Sequence, residues 1–106
     1  MDHTPSDMIT RLTAIEPEEI DGRLWWEFRR VCDALRLCDR NAAGRLIAPE
    51  HKRRKWLVGR DWRMKKAIGL IDRYGVEALV IRHCRDAPRG EIMAALDERW
   101  QCHDET

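Results

Sequence analysis

Between Arg23 and Leu35 the spacing of the apolar residues changes, and that change restricts the fold more than any other feature of the chain. Arg23 to Trp26 has a short, partly alternating apolar pattern, the period of a strand. From Phe28 onward, Phe28, Val31, Cys32 and Leu35 stand at i, i+3, i+4 and i+7, the spacing of one helix face. A chain that passes so quickly from one period to the other has to combine sheet with helix. Ile9 to Ile15 also reads as partly alternating, and Asp21-Gly22, a dipeptide favoured in hairpin turns, joins the two runs into an expected N-terminal β-hairpin. At 106 residues the chain is the size of one domain, long enough to bury a core and too short for two.

The later segments extend the same alternation of element types. The first helix should stop near Leu37, and a second, from about Asn41 to Ile47, follows Asp39 as N-cap and ends before Pro49. Two strands, about Arg54 to Val58 and Arg63 to Leu70, flank a turn at Gly59-Arg60-Asp61. Asp72 can cap a helix on which Val76, Leu79, Val80 and His83 share a face, with Ala78 and Ile81 thickening it. Pro88 suits the first position of a closing helix, whose stripe of Ile92, Leu96 and Trp100, with Met93 beside it, reads as core. The expected architecture is therefore α+β: a small single domain with an N-terminal β-hairpin, two helices, a basic β-hairpin and two C-terminal helices. The expected domain spans residues 19–101, after an acidic segment 1–18 that is partly a strand and before a tail at 102–106.

Several function classes are disfavoured. No apolar run approaches the roughly 20 residues of a membrane span, and the opening MDHTPSDMIT is too acidic and polar for a secretory signal, so the cytoplasm is the default location. Cys32, Cys38, Cys84 and Cys102 form no CxxC pair, and reduced thiols are expected. His83-Cys84 and Cys102-His103 raise the question of zinc, but adjacent residues point in different directions and chelate poorly, so no metal is expected. A glycine-rich phosphate loop, a recognisable nucleophile–histidine–carboxylate motif and an HExxH helix are all missing, which argues against an enzyme and against a cofactor.

Charge is the exception to this blandness. The formal net charge is only +1, yet residues 51–66, HKRRKWLVGRDWRMKK, carry +7, while residues 1–21 carry −5 and 89–106 carry −3. Such a block on an expected β-ribbon suits a polyanion, although Lys and Arg on an edge strand also serve to block aggregation. Lys52, Arg53, Arg54, Lys55, Arg60, Arg63, Lys65 and Lys66 are the candidate phosphate contacts, with Arg29, Arg40 and Arg45 on the neighbouring helices extending the surface. A two-stranded ribbon fits the major groove of double-stranded DNA. Trp56 and Trp62 can face the core, pair across the strands or stack on a base, and packing is the expected role.

EIDGRLWWEFRRVCDALRL, residues 19–37, resembles the opening of the Bro-N domain of the BRO family, found in phage antirepressor-like and large DNA virus proteins. Trp25 and Trp26 stand at that family's aromatic pair, and Val31, Ala34 and Leu35 match its first helix. LIDRYGVEALVIRH, residues 70–83, is similar to a second family segment through Ile71, Gly75, Leu79, Ile81 and Arg82, and Asn41 to Leu46 matches the short helix between them. The resemblance covers about residues 19–100. It departs from the family at Arg30, at Arg36 where glycine is usual, and at Asp72-Arg73 and Val76-Glu77. The resemblance implies an α+β domain that binds DNA in phage or viral gene control, here as a stand-alone unit. The alternative is a small phage-type protein that binds and inhibits another protein, a repressor or a host defence complex as anti-CRISPR proteins do. A palindromic target would suit a homodimer, though nothing in the sequence specifies an interface.

Overall fold

The computed structural model describes residues 5–61, 63, 65–83 and 89–100. Its elements are α1 (Pro5–Thr13), β1 (Glu18–Ile20), β2 (Arg23–Glu27), α2 (Phe28–Ala34), α3 (Arg40–Arg45), a single 3-10 turn (Pro49–His51), β3 (Lys52–Val58), β4 (Lys65–Asp72), α4 (Arg73–His83) and α5 (Arg89–Trp100). The fold is α+β, with one antiparallel sheet in the order β1-β2-β4-β3. Both expected hairpins are present.

The N-terminal hairpin is built by its turn. Asp21 and Gly22 have φ of 54° and 79°, the two successive positive angles of a type I′ turn, and they pair Ile20 with Arg23. The partner of β2 is not Ile9 to Ile15, however. That segment lies largely in α1, and β1 is the shorter run at Glu18–Ile20. Ile9, Thr10 and Thr13 favour strands by propensity, but Met8, Leu12 and Ile15 also stand at i, i+4 and i+7. Burial on that helical period wins, with Leu12 and Ile15 both in the core. Thr13 accommodates the helix by donating its hydroxyl to the Ile9 carbonyl at 2.7 Å. The packed unit consequently begins before residue 19.

One face of the sheet carries Trp26 and Ile71, and the helices pack there. Val31, Cys32, Val76, Leu79, Val80, Ile92 and Leu96 meet these two in a single core. On the expected faces of α4 and α5, Val76, Leu79, Val80, Ile92, Met93 and Leu96 are buried, Ala78 and Trp100 are half-buried and Ile81 is exposed. The helix expected from Phe28 to near Leu37 is α2, which is shorter and ends at Ala34. Asp39 does cap α3, its carboxylate accepting from the Ala42 amide at 3.0 Å. The side chain of His83 and the whole of Cys84, Pro88, Cys102 and His103 lie outside what the structure describes.

Two contacts fix the remaining helices. Arg11 donates from Nε to the Ala34 carbonyl at 2.8 Å, tying α1 to the end of α2. Arg73 holds Asp97 through two bonds, Nε to Oδ1 at 2.6 Å and Nη2 to Oδ2 at 2.7 Å, a fork that locks α4 to α5. Gly75 is required by packing: a Cβ there would stand 2.9 Å from Ile71 Cβ and 3.3 Å from both the His51 carbonyl oxygen and Ile47 Cγ2. No helix among the described residues is long and apolar enough to cross a membrane.

Candidate nucleic-acid interface

β3 and β4 pair from Lys52–Ile71 to Val58–Lys65, so the expected ribbon forms, with β3 starting two residues earlier than expected and β4 starting and ending two residues later, which leaves Arg63 off the strand. Side chains alternate along each strand and directly paired residues share a face, so this register sorts the ribbon into two sets. Lys52, Arg54, Trp56 and Val58 of β3 share one face with Lys65, Ala67, Gly69 and Ile71 of β4. Arg53, Lys55 and Leu57 share the other with Lys66, Ile68, Leu70 and Asp72.

The second face is turned inward on the acidic hairpin. Glu18 lies on β1 and Lys55 on β3, opposite edges of a sheet whose flat form would hold them about 14 Å apart at the usual strand spacing. They nevertheless form an ion pair, so the sheet curls. Arg53 meets Asp21 at 3.9 Å and lies over the Trp25 ring at 5.4 Å, with Arg23 at 5.9 Å from the same ring. Beneath them Asp72 is fully buried. One of its oxygens receives Arg23 Nη1 at 3.0 Å and lies 2.9 Å from His51 Nδ1, while the other accepts the Gly75 amide at 2.9 Å as the cap of α4. The residue expected from sequence to cap α4 therefore also clamps three segments. Trp25 is buried on this concave face and Trp26 on the helix face, which accounts for both members of the aromatic pair.

The first face is free of such commitments. Arg54 and Lys65 are exposed and meet no acidic side chain among the described residues. Lys52 donates to the Gly44 carbonyl at 3.0 Å, a contact that leaves its charge uncompensated. Trp56 lies between Arg54 and Val58, with 59% of its surface exposed; Val58 is 61% exposed. Of the packing roles expected for Trp56, core or cross-strand, the core role is overturned, because β3 is an edge strand whose outer half runs past the helices and finds nothing to bury against. Across the strand its partner is only Ala67. Trp62 lies outside the described residues.

The eight candidate cations of the stretch are thus not equivalent. Arg53 and Lys55 are held by acids of the β1–β2 hairpin. Arg54, Lys65 and, on the opposite face, Lys66 are presented to solvent, as is Arg60 in the turn. Arg63 is exposed as well, its backbone amide donating to the Asp61 carboxylate at 3.0 Å. On the helices, Arg45 closes α3 beside Gly44 and so stands near the ribbon base. Arg40, at the other end of α3, is paired with Asp33 at 3.2 Å, and Arg29 is exposed on α2. The parity of Arg54 and Trp56 was available in the sequence. The pairing of Arg53 and Lys55 was not, because Glu18 reaches the ribbon through β1, which lies after the Ile9–Ile15 run expected to pair with β2.

The other chemistry-bearing groups do not add to this surface. No group of three His, Cys, Asp or Glu side chains among the described residues is placed to hold a metal ion. Cys32 is buried in the core, and that burial pushes its thiol up to about 11, away from nucleophilic use at neutral pH. Comparison with protein-family models, with curated proteins and with solved structures gave no match for this chain.

Proposed function

We propose that this protein is a DNA-binding module of phage or prophage type that regulates transcription in the manner of an antirepressor, acting in the cytoplasm on double-stranded DNA. The resemblance of residues 19–100 to Bro-N supports this reading. The observation that carries the reading is the division of the ribbon: one face presents Arg54, Trp56 and Lys65 without acidic neighbours, while Arg53 and Lys55 of the opposite face are paired with acids of the β1–β2 hairpin. A cationic row on a protruding ribbon can follow a line of phosphates, releasing counterions as it docks. Arg45 extends that row from the helix end, and a two-fold operator would take two copies of the chain.

A second reading has one observation in its favour. Trp56, Leu57 and Val58 form an exposed apolar run on an edge strand, a feature that also suits a protein partner. In that reading the chain inhibits a repressor or a defence complex. Salt separates the two. Duplex binding measured by fluorescence anisotropy over a series of salt concentrations should weaken steeply, and replacing Arg54 and Lys65 together by Ala should reduce the log–log slope by about 2. These cations are exposed, so the melting temperature should hold. Absence of duplex binding at low salt would refute the DNA reading and leave the protein-partner reading standing.

A further inference from the structure

A groove of about 370 Å³ opens at the root of the ribbon, with Phe28, Gly44, Pro49, Lys52, Arg54 and Gly69 in its lining. That volume lies in the range of about 300–1,000 Å³ common to small-molecule sites. Its two glycines need an explanation that the fold does not supply. Gly44 sits inside α3, where glycine is a poor helix former, and Gly69 sits inside β4, where it weakens a strand. Neither has a positive φ, so neither uses the conformational freedom that favours glycine. Neither is forced by packing: a Cβ at 44 would stand 3.7 Å from Phe28 Cζ, and one at 69 would stand 3.8 Å from Phe28 Cβ, both ordinary contacts. Gly75, with a 2.9 Å conflict, shows what a sterically required glycine looks like in this molecule.

Both unforced glycines face the same aromatic side chain, one at the base of Phe28 and one at its ring tip. Their missing side chains keep the wall beside Phe28 open. The rim is cationic: Arg54 stands opposite Gly69 in the strand register, and Lys52 Nζ lies 3.0 Å from the Gly44 carbonyl oxygen. A flat π system with a negative charge attached matches an aromatic wall beside two cations. The same Arg54 continues into the exposed face with Trp56 and Lys65, so the groove is the inner end of the proposed phosphate track.

We infer that this groove takes an unpaired nucleotide, its base stacked against Phe28 between Gly44 and Gly69 and its phosphate held by Arg54 and Lys52. In its preferred form the nucleotide belongs to the DNA strand the ribbon follows, and to that extent the inference rests on the DNA-binding reading. A free mononucleotide has the same chemistry, and the experiment separates the two sources.

The probes are a fully paired duplex, the same duplex carrying one bulged nucleotide, and deoxyadenosine monophosphate at millimolar concentration. They are titrated against the wild-type chain, Gly44→Ala and Gly69→Val. Each substitution fills the groove with a residue that suits its element, so the melting temperature should hold or rise. Phe28→Leu, which keeps an apolar contact and removes the stacking face, serves as a third variant should Gly69→Val fail to fold. The wild type should prefer the bulged duplex about tenfold, within the contribution of one base–aromatic stack. The groove-filling variants should bind both duplexes at the fully paired level. If no duplex binds but the mononucleotide does, and filling the groove abolishes it, the groove stands as a free-nucleotide site and the DNA reading falls. Equal affinity for the two duplexes with no mononucleotide binding, or a preference that survives groove filling, overturns the inference while leaving paired-duplex binding as evidence for the ribbon.

Discussion

Arg36 has φ of 58°, a left-handed backbone angle that L side chains resist, at the point where α2 gives way to the loop before α3. The turn closes well: the Leu37 amide donates to the Cys32 carbonyl at 2.8 Å and the Arg36 amide to the Asp33 carbonyl at 3.1 Å, the paired bonds of a glycine-type helix stop. The Bro-N resemblance has glycine at this position, and the backbone here has the conformation that glycine serves. Arg36→Gly should therefore stabilise the fold by about 0.5–1 kcal/mol, read as a higher denaturation midpoint. An unchanged or lower midpoint would show that the arginine side chain compensates for the strain. A second residue-scale expectation concerns the thiols. Burial raises the Cys32 pKa from 9.0 to about 11, so the folded state favours the neutral thiol. That contribution is complete below pH 9, falls as pH rises from 9 and is exhausted beyond about 11. Cys32→Ala should flatten the loss of stability over that window. At neutral pH a thiol reagent should label exposed Cys38 and spare Cys32, checked by peptide mass spectrometry.

At the scale of elements, α1 decides how much of the chain is domain. Leu12 is 1% exposed and packs in the same core as Ile92 and Leu96 of α5, so α1 is a wall of the core and not a leader to it. Leu12→Ala should cost about 2–5 kcal/mol, as for other fully buried leucines. A loss below about 0.5 kcal/mol, typical of surface positions, would mean that residues from 19 onward fold without α1. This element also marks where the sequence was and was not legible. Asp21-Gly22, Asp39 and Asp72 act through their own local chemistry, a turn or a cap, and each does what its residue type suggests. The switch from Trp26 to Phe28 likewise needs only local periodicity. Ile9 to Ile15 satisfied two periods at once, and only contact with α5 and α2, distant in sequence, selects the helix. The ribbon was legible as a charged hairpin. The groove was not, because Phe28, Gly44 and Gly69 come together only when α2, α3 and β4 are assembled.

For the whole molecule, the net charge of +1 is the sum of opposed regions that the fold partly brings together. The β1–β2 hairpin lays Glu18 and Asp21 against Lys55 and Arg53, so the acidic N-terminal segment cancels two ribbon cations from within. In stability terms these contacts are minor: the pairs are partly exposed, and pairs of that kind contribute about 0–1 kcal/mol. Their effect on a polyanion is larger. They remove two positive charges from the ribbon's effective total and set which face a phosphate backbone sees. Glu18→Gln together with Asp21→Asn frees both cations without touching any residue of the exposed face. Folding stability should fall by no more than about 2 kcal/mol for the two pairs together. Duplex affinity at low salt should rise, and if both freed cations reach phosphates the log–log salt slope should steepen by about 2, near 0.9 for each phosphate neutralised. An unchanged slope would mean that Arg53 and Lys55 remain turned toward Trp25 and that the exposed face alone meets the DNA. A weaker affinity would mean that the acidic hairpin holds the ribbon in its binding shape, and that the curl of the sheet matters more to recognition than the charge it conceals.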